Sequence, residues 1–115
     1  MLDRDGILKS DDLPRELVDV PEWGGELYVR TLTGSERDEF EQSMVTGKGK
    51  TNLDNVRARF AVLTICDSEG KRIFRASDAE ALGKKSAAAL GKVFDVASRM
   101  NGFSQQDAEE LTQSF

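Results

Sequence analysis

Residues 16–36 read ELVDVPEWGGELYVRTLTGSE, and this stretch decides the fold because its side-chain pattern changes from strand to helix. Two runs rich in apolar and β-branched residues, ELVDV and ELYVRTL, flank the turn-forming segment PEWGG. Pro21 and the pair Gly24 and Gly25 suit a tight reversal of the chain. The stretch therefore predicts a β-hairpin at about residues 16–32.

The residues after the hairpin carry a signal for the start of a helix. Thr33 precedes Glu36 by three positions, the capping-box arrangement in which each side chain accepts a hydrogen bond from the backbone amide of the other residue. The predicted helix continues through RDEFEQSMV, with Phe40 and Met44 as its apolar stripe, and ends near Gly47. The segment GKGKTN after it is flexible by composition.

The central part of the chain predicts the main core helix, over about Leu53–Cys66. Val56, Phe60 and Leu63 fall on one face of this helix. The turn DSEG follows, and residues 71–74 favour a short strand. The last two residues of the helical range, Ile-Cys, can instead belong to a hairpin with that strand.

The C-terminal third predicts two successive helices. Ser77 and Glu80 have the spacing of a second capping box, which opens a short helix that Gly83 closes. Ser86 is placed to cap the helix that follows. The helix at Ser86 is therefore a separate element and not a continuation of the short one.

This last helix has the most regular amphipathic pattern in the chain. Its apolar stripe recurs at helical spacing and comprises Leu90, Val93, Phe94, Ala97 and Met100. By period alone the stripe indicates a core face, and a partner-binding face is the alternative. Asn101 and Gly102 tolerate a left-handed backbone and predict its end, and Ser104 predicts a cap for a final short helix through Leu111.

Length and composition fit one globular domain with a short arm. The chain has 115 residues, of which 38% are hydrophobic and 32% charged, which suffices for one core but not for two domains. Residues 1–15 show neither a strand period nor a helix period and are predicted to form an N-terminal arm. We expect residues 16–115 to form a single α+β domain in which the N-terminal β-hairpin packs against about four helices.

Charge and cysteine content argue against several classes of function. The 16 basic and 21 acidic residues give a net charge of −5, which repels a phosphate backbone, so no nucleic-acid partner is expected. The basic pairs Lys48/Lys50 and Lys84/Lys85 are short and are not interleaved with aromatic residues. The single cysteine cannot form an intrachain disulfide, and no segment has the pattern of a signal peptide or a membrane span. We therefore expect a cytoplasmic protein without a membrane partner.

No group of side chains predicts catalysis, a cofactor or a metal ion. The chain has no histidine, so Cys66 has no histidine to activate it and is expected to be a small buried residue. Asp67, Glu69 and Gly70 lack the spacing of a calcium loop. The acidic residues that start at Glu36 fit the positive end of a helix better than a metal cluster. We therefore expect no enzyme, and no catalytic, cofactor-binding or metal-binding residues.

Trp23 is the most informative side chain outside the predicted core. It stands beside Gly24 and Gly25 at the hairpin tip, where it can either fold back on a helix or bind a partner protein. Tyr28 on the second strand and Phe103 after the helix stop are further apolar candidates. We predict Trp23, Tyr28 and Phe103 as the partner-binding residues.

Two long segments resemble a known protein family. The first, Asp12–Glu41, reads DLPRELVDVPEWGGELYVRTLTGSERDEFE, and the second, Cys66–Gly102, reads CDSEGKRIFRASDAEALGKKSAAALGKVFDVASRMNG. Both are similar to the small tail assembly chaperones of long-tailed, siphovirus-type phages and prophages. Together they cover most of the chain, and the resemblance rests on their overall pattern because the family has no catalytic motif.

The resemblance implies a protein that acts in the host bacterial cytoplasm during tail assembly and is absent from the finished virion. Its implied partners are the tape measure protein, which it would coat, and the major tail tube protein, whose subunits it would deliver. Weak self-association would accompany the coating of a long partner. Many members of the family also make a longer form by ribosomal frameshifting near the C-terminus. The alternatives are a prophage structural or head-tail completion protein retained in the particle, and a small host enzyme or regulator.

Overall fold

The structure, a computed structural model, describes residues 1–45 and 51–103 and has the α+β fold expected from the sequence. The strands in this part of the chain are β1 (Arg15–Val20), β2 (Gly25–Arg30) and β3 (Ile65–Cys66). The α-helices are α1 (Arg4–Lys9), α2 (Gly34–Ser43), α3 (Val56–Thr64), α4 (Ala79–Leu82) and α5 (Ala87–Met100). Two 3₁₀ turns, Pro21–Trp23 and Ala76–Asp78, complete the described elements.

The sheet is antiparallel and has the strand order β1-β2-β3. β1 and β2 form the predicted hairpin, in which Arg15 pairs with Arg30 at the open end and Val20 pairs with Gly25 beside the turn. Gly24 closes the turn with a left-handed φ of 79°, a conformation that costs glycine little. β3 pairs with the middle of β2 and makes the hairpin a three-stranded sheet.

The core lies where α3 and α5 pack against each other and α5 packs against β1 and β2. Of the nine residues of α3, seven are buried, which confirms it as the main core helix. The Phe60 ring lies 4.8 Å from the Phe40 ring and 5.6 Å from the Phe94 ring, measured between centroids. Val18 and Val29 bring the inner face of the sheet into the same cluster.

The predicted helix caps are present at α2 and α5. The Thr33 hydroxyl accepts a hydrogen bond from the Glu36 backbone N–H at 3.1 Å, and the Glu36 carboxylate accepts one from the Thr33 N–H at 2.9 Å. The Ser86 hydroxyl accepts a hydrogen bond from the Ala89 N–H at 3.2 Å. α5 ends as predicted, with Gly102 in the left-handed region at a φ of 76°.

The main core helix is shorter than predicted. It spans Val56–Thr64, whereas the sequence pattern favoured Leu53–Cys66. Ile65 and Cys66 form β3, the alternative that the pattern left open, because their backbone pairs with β2. Both side chains are buried in the strand, so their apolar character did not distinguish the two conformations.

The strand predicted at residues 71–74 is wrong. Only Arg72 in this segment makes an antiparallel bridge, which pairs it with Cys66. The Arg72 guanidinium then reaches the Glu36 carboxylate at 3.5 Å, and Phe74 packs against the core. The segment leaves the sheet after one bridge because its side chains bind other elements.

The capping box predicted to begin at Ser77 is also wrong. A 3₁₀ turn starts at Ala76, and the Asp78 carboxylate accepts a hydrogen bond from the Arg75 backbone N–H at 2.7 Å. The Asp78 carboxylate therefore places the N-cap at Arg75, two residues earlier than the sequence pattern suggested. Gly83 follows α4 as its C-cap, as predicted.

Two predictions fall wholly or partly outside the described residues. α2 ends at Ser43, before the predicted end near Gly47, and most of the segment GKGKTN lies in the undescribed residues 46–50. The final helix predicted from Ser104 to Leu111 also lies outside the described ranges.

Candidate functional site

An apolar groove lies between the hairpin tip and α4. Its apolar walls are Trp23, Ile73, Phe74 and Leu82, and its volume is about 430 Å³. A volume of several hundred Å³ is typical of pockets that bind ligands or partner side chains. Ile73 is 55% exposed, so the groove is open to solvent, whereas Leu82 in its wall belongs to the buried core.

The hairpin turn holds Trp23 in the wall of the groove. Pro21 starts the 3₁₀ turn, and the backbone N–H of Gly24 donates a hydrogen bond to the Pro21 carbonyl at 3.0 Å. Trp23 is half-buried and packs against the core cluster. The sequence left open whether Trp23 folds back or meets a partner. Its ring does the first and still lines the groove, so it keeps an accessible surface.

Two opposite charges also line the groove. Asp78 lies in the 3₁₀ turn before α4, and Lys85 lies just after α4, where its backbone N–H donates to the Leu82 carbonyl at 3.0 Å. Within residues 1–45 and 51–103, neither charged side chain forms an ion pair. The groove therefore suits an apolar segment that is flanked by charges of both signs.

Tyr28 lies on the opposite, outer face of the sheet. It pairs across the hairpin with Leu17, which is exposed, and it is itself half-buried. The Arg15 guanidinium carbon lies 6.0 Å from the centre of the Tyr28 ring, within the range of a cation–π contact. Tyr28 is therefore accessible, but on a different surface from the groove.

Phe103 closes the C-terminal end of α5. Its backbone N–H donates to the Ser98 carbonyl at 2.9 Å, and the Gly102 N–H donates to the Arg99 carbonyl at 3.3 Å, the two bonds of a Schellman motif. Its ring stacks on Phe60 at 5.4 Å between centroids. The Arg37 guanidinium covers Phe103 at 4.7 Å from its centroid. This arrangement leaves Phe103 half-buried between a core ring and a surface cation.

The three predicted partner-binding residues thus lie in three places. Trp23 is at the hairpin tip, Tyr28 is on the outer sheet face and Phe103 is at the end of α5. No hydrogen bond or ring contact joins them within the residues that the structure describes. Only Trp23 belongs to the apolar groove, and Ile73, Phe74 and Leu82 around it were not among the predicted site residues.

A second exposed apolar surface lies in the N-terminal arm, where the sequence pattern did not indicate a helix. α1 has six residues, none of them buried. Leu2, Ile7 and Leu8 are exposed. The Asp3 carboxylate caps α1 by accepting a hydrogen bond from the Gly6 N–H at 2.8 Å. Leu2 and Ile7 flank this cap at the two positions of a hydrophobic staple, a sequence signal that could have revealed the helix.

A buried ion cluster fastens the sheet to α2. Arg30 donates two hydrogen bonds to the Glu36 carboxylate, at 2.9 and 2.8 Å, and the two side chains are only 5% and 12% exposed. Burial alone would raise the pKa of Glu36, but hydrogen bonds from Arg30 and Thr33 outweigh it and hold this pKa below its usual range. Arg72 adds a second guanidinium. The bound carboxylate is suited to holding structure and not to exchanging protons near neutral pH.

The single cysteine, Cys66, is buried in β3. Burial raises the pKa of the Cys66 thiol, which disfavours the reactive thiolate. In the described ranges no cluster of three or more histidine, cysteine or acidic residues is placed to hold a metal ion. No helix in the same ranges is long and apolar enough to cross a membrane.

Comparison with known protein families identifies one family for this chain. The sequence profile of a family described as "Phage tail assembly chaperone" matches residues 7–114. No curated protein sequence matches the chain. Among solved structures, the tail assembly chaperone of bacteriophage HK97 is similar with a TM-score of 0.57, at 18% identity, over 77% of this chain and 87% of that chain. At this identity the structural match shows a shared fold.

Proposed function

Because the chain belongs to the family of phage tail assembly chaperones, we propose that it binds the tape measure protein and subunits of the major tail tube protein during tail assembly, and that it is absent from the finished virion. The family match over residues 7–114 carries this proposal. The protein acts by binding alone, in the cytoplasm of the bacterial host, and copies associate weakly with one another. Nucleic acid and membranes are not among its partners.

The groove between the hairpin tip and α4 is the proposed docking surface for the tape measure protein. An amphipathic helix can place apolar side chains from successive turns into such a groove. Trp23 offers a large apolar surface that its packing on the core already holds in place, which lowers the entropy lost on binding. Tyr28 and Phe103 remain predicted partner contacts, and their positions would serve surfaces other than the groove.

Binding by a chaperone has to be reversible, because the growing tube must displace it. The groove supports this requirement, since its open apolar wall is small and is accompanied by the charges of Asp78 and Lys85. The net charge of −5 also limits non-specific association between copies. A small apolar patch of this kind favours reversible binding of the partner over permanent binding.

The proposal is tested with Trp23→Ala in a binding titration against the tape measure protein. As a hot spot, Trp23 is expected to contribute about 2 kcal/mol to the binding free energy. The substitution should therefore raise the dissociation constant about 30-fold. Val45→Ala is the matched control, because Val45 is an exposed apolar residue after α2 that does not line the groove, and its truncation should leave the affinity unchanged. Thermal melting of both variants shows whether each remains folded.

Two results would contradict the proposal. Unchanged affinity per folded molecule of Trp23→Ala would remove the groove as the docking surface. Mass spectrometry of purified virions that finds the chain in stoichiometric amount would favour a structural or head-tail completion protein retained in the particle. Absence from virions together with capture of the tape measure protein from infected cells supports the chaperone function.

A further inference from the structure

β1 lies at one edge of the sheet, with β2 as its neighbour among the described strands. The Thr31 N–H donates to the Pro14 carbonyl at 3.2 Å, and such bonded pairs recur at every second residue of an antiparallel hairpin. The even-numbered residues of β1 therefore bond to β2, and the N–H and C=O groups at the free edge belong to Arg15, Leu17 and Asp19. In the part of the chain that the structure describes, no backbone hydrogen bond outside the hairpin takes up these groups, so they can pair with another strand.

The same three residues place their side chains on the outer face of the sheet. All three are exposed, and Leu17 keeps 50% of its surface accessible. Within residues 1–45 and 51–103, Arg15 and Asp19 form no ion pair. Across the hairpin Asp19 instead faces Glu26, and two like charges in opposite positions are unfavourable. The free edge therefore presents an apolar side chain between two charges of opposite sign.

The order of these side chains makes the edge complementary to itself. Along β1 they are basic, apolar and acidic. If a second β1 runs antiparallel with its Leu17 opposite Leu17, each Arg15 faces Asp19 of the other copy. Opposite charges and apolar residues in facing positions both stabilise a pair of strands. In this register all three residues form bonded pairs, so each exchanges both of its free backbone hydrogen bonds with the other copy.

Other ways of covering the edge fit its side chains less well. A shift of two residues places a charged side chain opposite Leu17, and a shift of one residue places free backbone groups opposite groups that already bond to β2. A parallel pair of β1 strands in register brings like charges together. The chain's own residues 104–115 contain no basic residue to face Asp19. The side-chain pattern therefore favours one antiparallel register between two copies.

We infer that two copies pair their β1 strands antiparallel about a two-fold axis at Leu17, so that the two hairpins share one continuous sheet. Tyr28 lies opposite Leu17 within each copy, and its ring flanks the central pair of leucines on either side. The contact is isologous, so it closes at a dimer. It uses none of the residues that line the groove. It assigns a surface to the weak self-association in the proposed function, on which the inference rests.

The contact has the size expected for weak association. It joins two strands of six residues each, which bury much less surface than a stable protein–protein interface does. Exposed ion pairs add little to the binding free energy, and the net charge of −5 on each copy opposes association. The dimer is therefore expected to dissociate on dilution.

Analytical ultracentrifugation of the full chain without a partner, over a range of concentrations, tests the inference. The mass of the wild type should rise with concentration towards that of a dimer and no further. Arg15→Asp and Asp19→Arg should each remain monomeric, because each places like charges opposite one another at both ends of the contact. An equimolar mixture of the two variants is the decisive sample. One copy then carries two acidic residues at these positions and the other carries two basic ones, so the mixture should dimerise.

Two further variants serve as controls. Glu22→Arg makes the same change of net charge as Asp19→Arg, but Glu22 lies in the turn, outside the edge, so this variant should dimerise like the wild type. Arg15→Asp combined with Asp19→Arg in one chain exchanges the two charges and should restore the homodimer. The replaced side chains are all exposed, so circular dichroism should show the wild-type fold in each case.

Several results would overturn the inference. A wild type that stays monomeric at all concentrations would do so, as would a mixture that stays monomeric although both variants are folded. Growth of Arg15→Asp to the mass of the wild type would assign self-association to another surface. A wild-type mass that passes that of a dimer would show an open contact instead of a two-fold one. A wild type that dimerises only after removal of residues 104–115 would show that this segment already covers the edge.

The same variants keep the inference separate from the proposed function. Binding to the tape measure protein is measured with the wild type and with Arg15→Asp. If the mixture dimerises and the wild type does not bind the tape measure protein, the proposed function fails and the edge contact stands. If both proteins bind it and neither the wild type nor the mixture self-associates, only the edge contact fails. If the mixture dimerises and the wild type binds, both stand.

Discussion

The Glu36 carboxylate joins three parts of the fold. It accepts hydrogen bonds from the side chain of Arg30 on β2 and from the backbone of Thr33 at the start of α2, and it lies 3.5 Å from the Arg72 guanidinium beyond β3. A buried carboxylate that loses its partners, or buried cations that lose their carboxylate, are costly in free energy. The contribution of this residue to the fold therefore exceeds that of a surface ion pair.

Glu36→Gln is expected to lower the free energy of unfolding by about 3–5 kcal/mol, because the substitution leaves the Arg30 charge buried without its counter-charge. Urea unfolding followed by circular dichroism measures this loss. Glu41→Gln is the matched control, since Glu41 forms an exposed i, i+4 pair with Arg37 and should cost less than about 1 kcal/mol. Equal losses in the two variants would contradict the structural role of the cluster.

The free energy of unfolding should also depend on pH through the Glu36 carboxylate. The pKa of Glu36 is lower in the folded chain than in the unfolded one, so the ionised carboxylate stabilises the fold. This contribution is complete above the unfolded pKa of about 4.3 and is lost as the pH falls through the lower folded value. The stability difference between wild type and Glu36→Gln should shrink between about pH 5 and about pH 2 in urea titrations. A difference that is constant over this range would show that Glu36 is not the group responsible.

Sequence reasoning predicted half of this cluster. The cap between Thr33 and Glu36 could be predicted from the sequence, because its two partners are three residues apart and the geometry is local. The pairing of Glu36 with Arg30 could not be predicted from the sequence, because it depends on how the chain turns between β2 and α2. Arg72 is 36 positions from Glu36 and meets it only after the sheet and helices have assembled.

At the scale of single elements, hydrogen bonds join the C-terminal end of α5 to Leu32 and to Arg37 on α2. The Asn101 side-chain oxygen accepts a hydrogen bond from the Leu32 backbone N–H at 2.7 Å, and the Asn101 carbonyl accepts one from Arg37 at 2.9 Å. Gly102 then takes the left-handed conformation that turns Phe103 back onto the core. The stop therefore also fixes the position of α2.

Gly102→Ala is expected to lower stability by about 1–2 kcal/mol, because a Cβ atom is unfavourable at a φ of 76°. Among the described residues, apart from its two chain neighbours, no atom lies within 4 Å of that Cβ position, so the expected loss comes from the backbone conformation. Gly91→Ala is a matched control in the middle of α5, also with open space, and should raise stability by about 0.5–1 kcal/mol. Thermal and urea unfolding of the two variants should thus change in opposite directions, and a shared direction would contradict the assigned conformations.

Two other elements show where local sequence patterns are insufficient. The side chains of Ile65 and Cys66 are compatible with both a helix and a strand. They form a strand because their backbone pairs with the free edge of β2. α1 has the cap at Asp3 and the staple positions of a helix, but no apolar stripe long enough to give a period. Its helix is recognised from capping signals and not from amphipathicity.

At the scale of the whole molecule, one ring joins four parts of the chain. Phe60 on α3 contacts Phe40 on α2, Phe94 on α5 and Phe103 beyond α5. It is fully buried, and each of these contacts joins residues that are distant in sequence. Loss of this ring should therefore affect all of these elements together.

Phe60→Ala is expected to cost about 3–5 kcal/mol, a large fraction of the stability of a domain of this size. Near-ultraviolet circular dichroism and urea unfolding should show a cooperative loss of structure. Leu17→Ala, an exposed apolar truncation, is the control and should change stability by less than about 0.5 kcal/mol. A variant in which only one helix is lost would contradict the central position of Phe60.

The groove could be predicted only in part. The turn residues placed Trp23 at the hairpin tip, and its accessible ring follows from that position. Ile73, Phe74 and Leu82 come from segments 50 or more residues later, one of which was predicted as a strand. These residues come together beside Trp23 only in the assembled fold.

The closure of α5 by Phe103 also has a consequence for the order of synthesis. The buried apolar residues of the described chain run from Val18 to Ala97, and Phe103 packs against their cluster and stacks on Phe60. A ribosome that has passed codon 103 has already translated these residues, together with the hairpin tip and the walls of the groove. A change confined to the sequence after that codon would replace none of these residues. Variants of the chain that differ only after residue 103 would therefore offer the same groove residues to a partner.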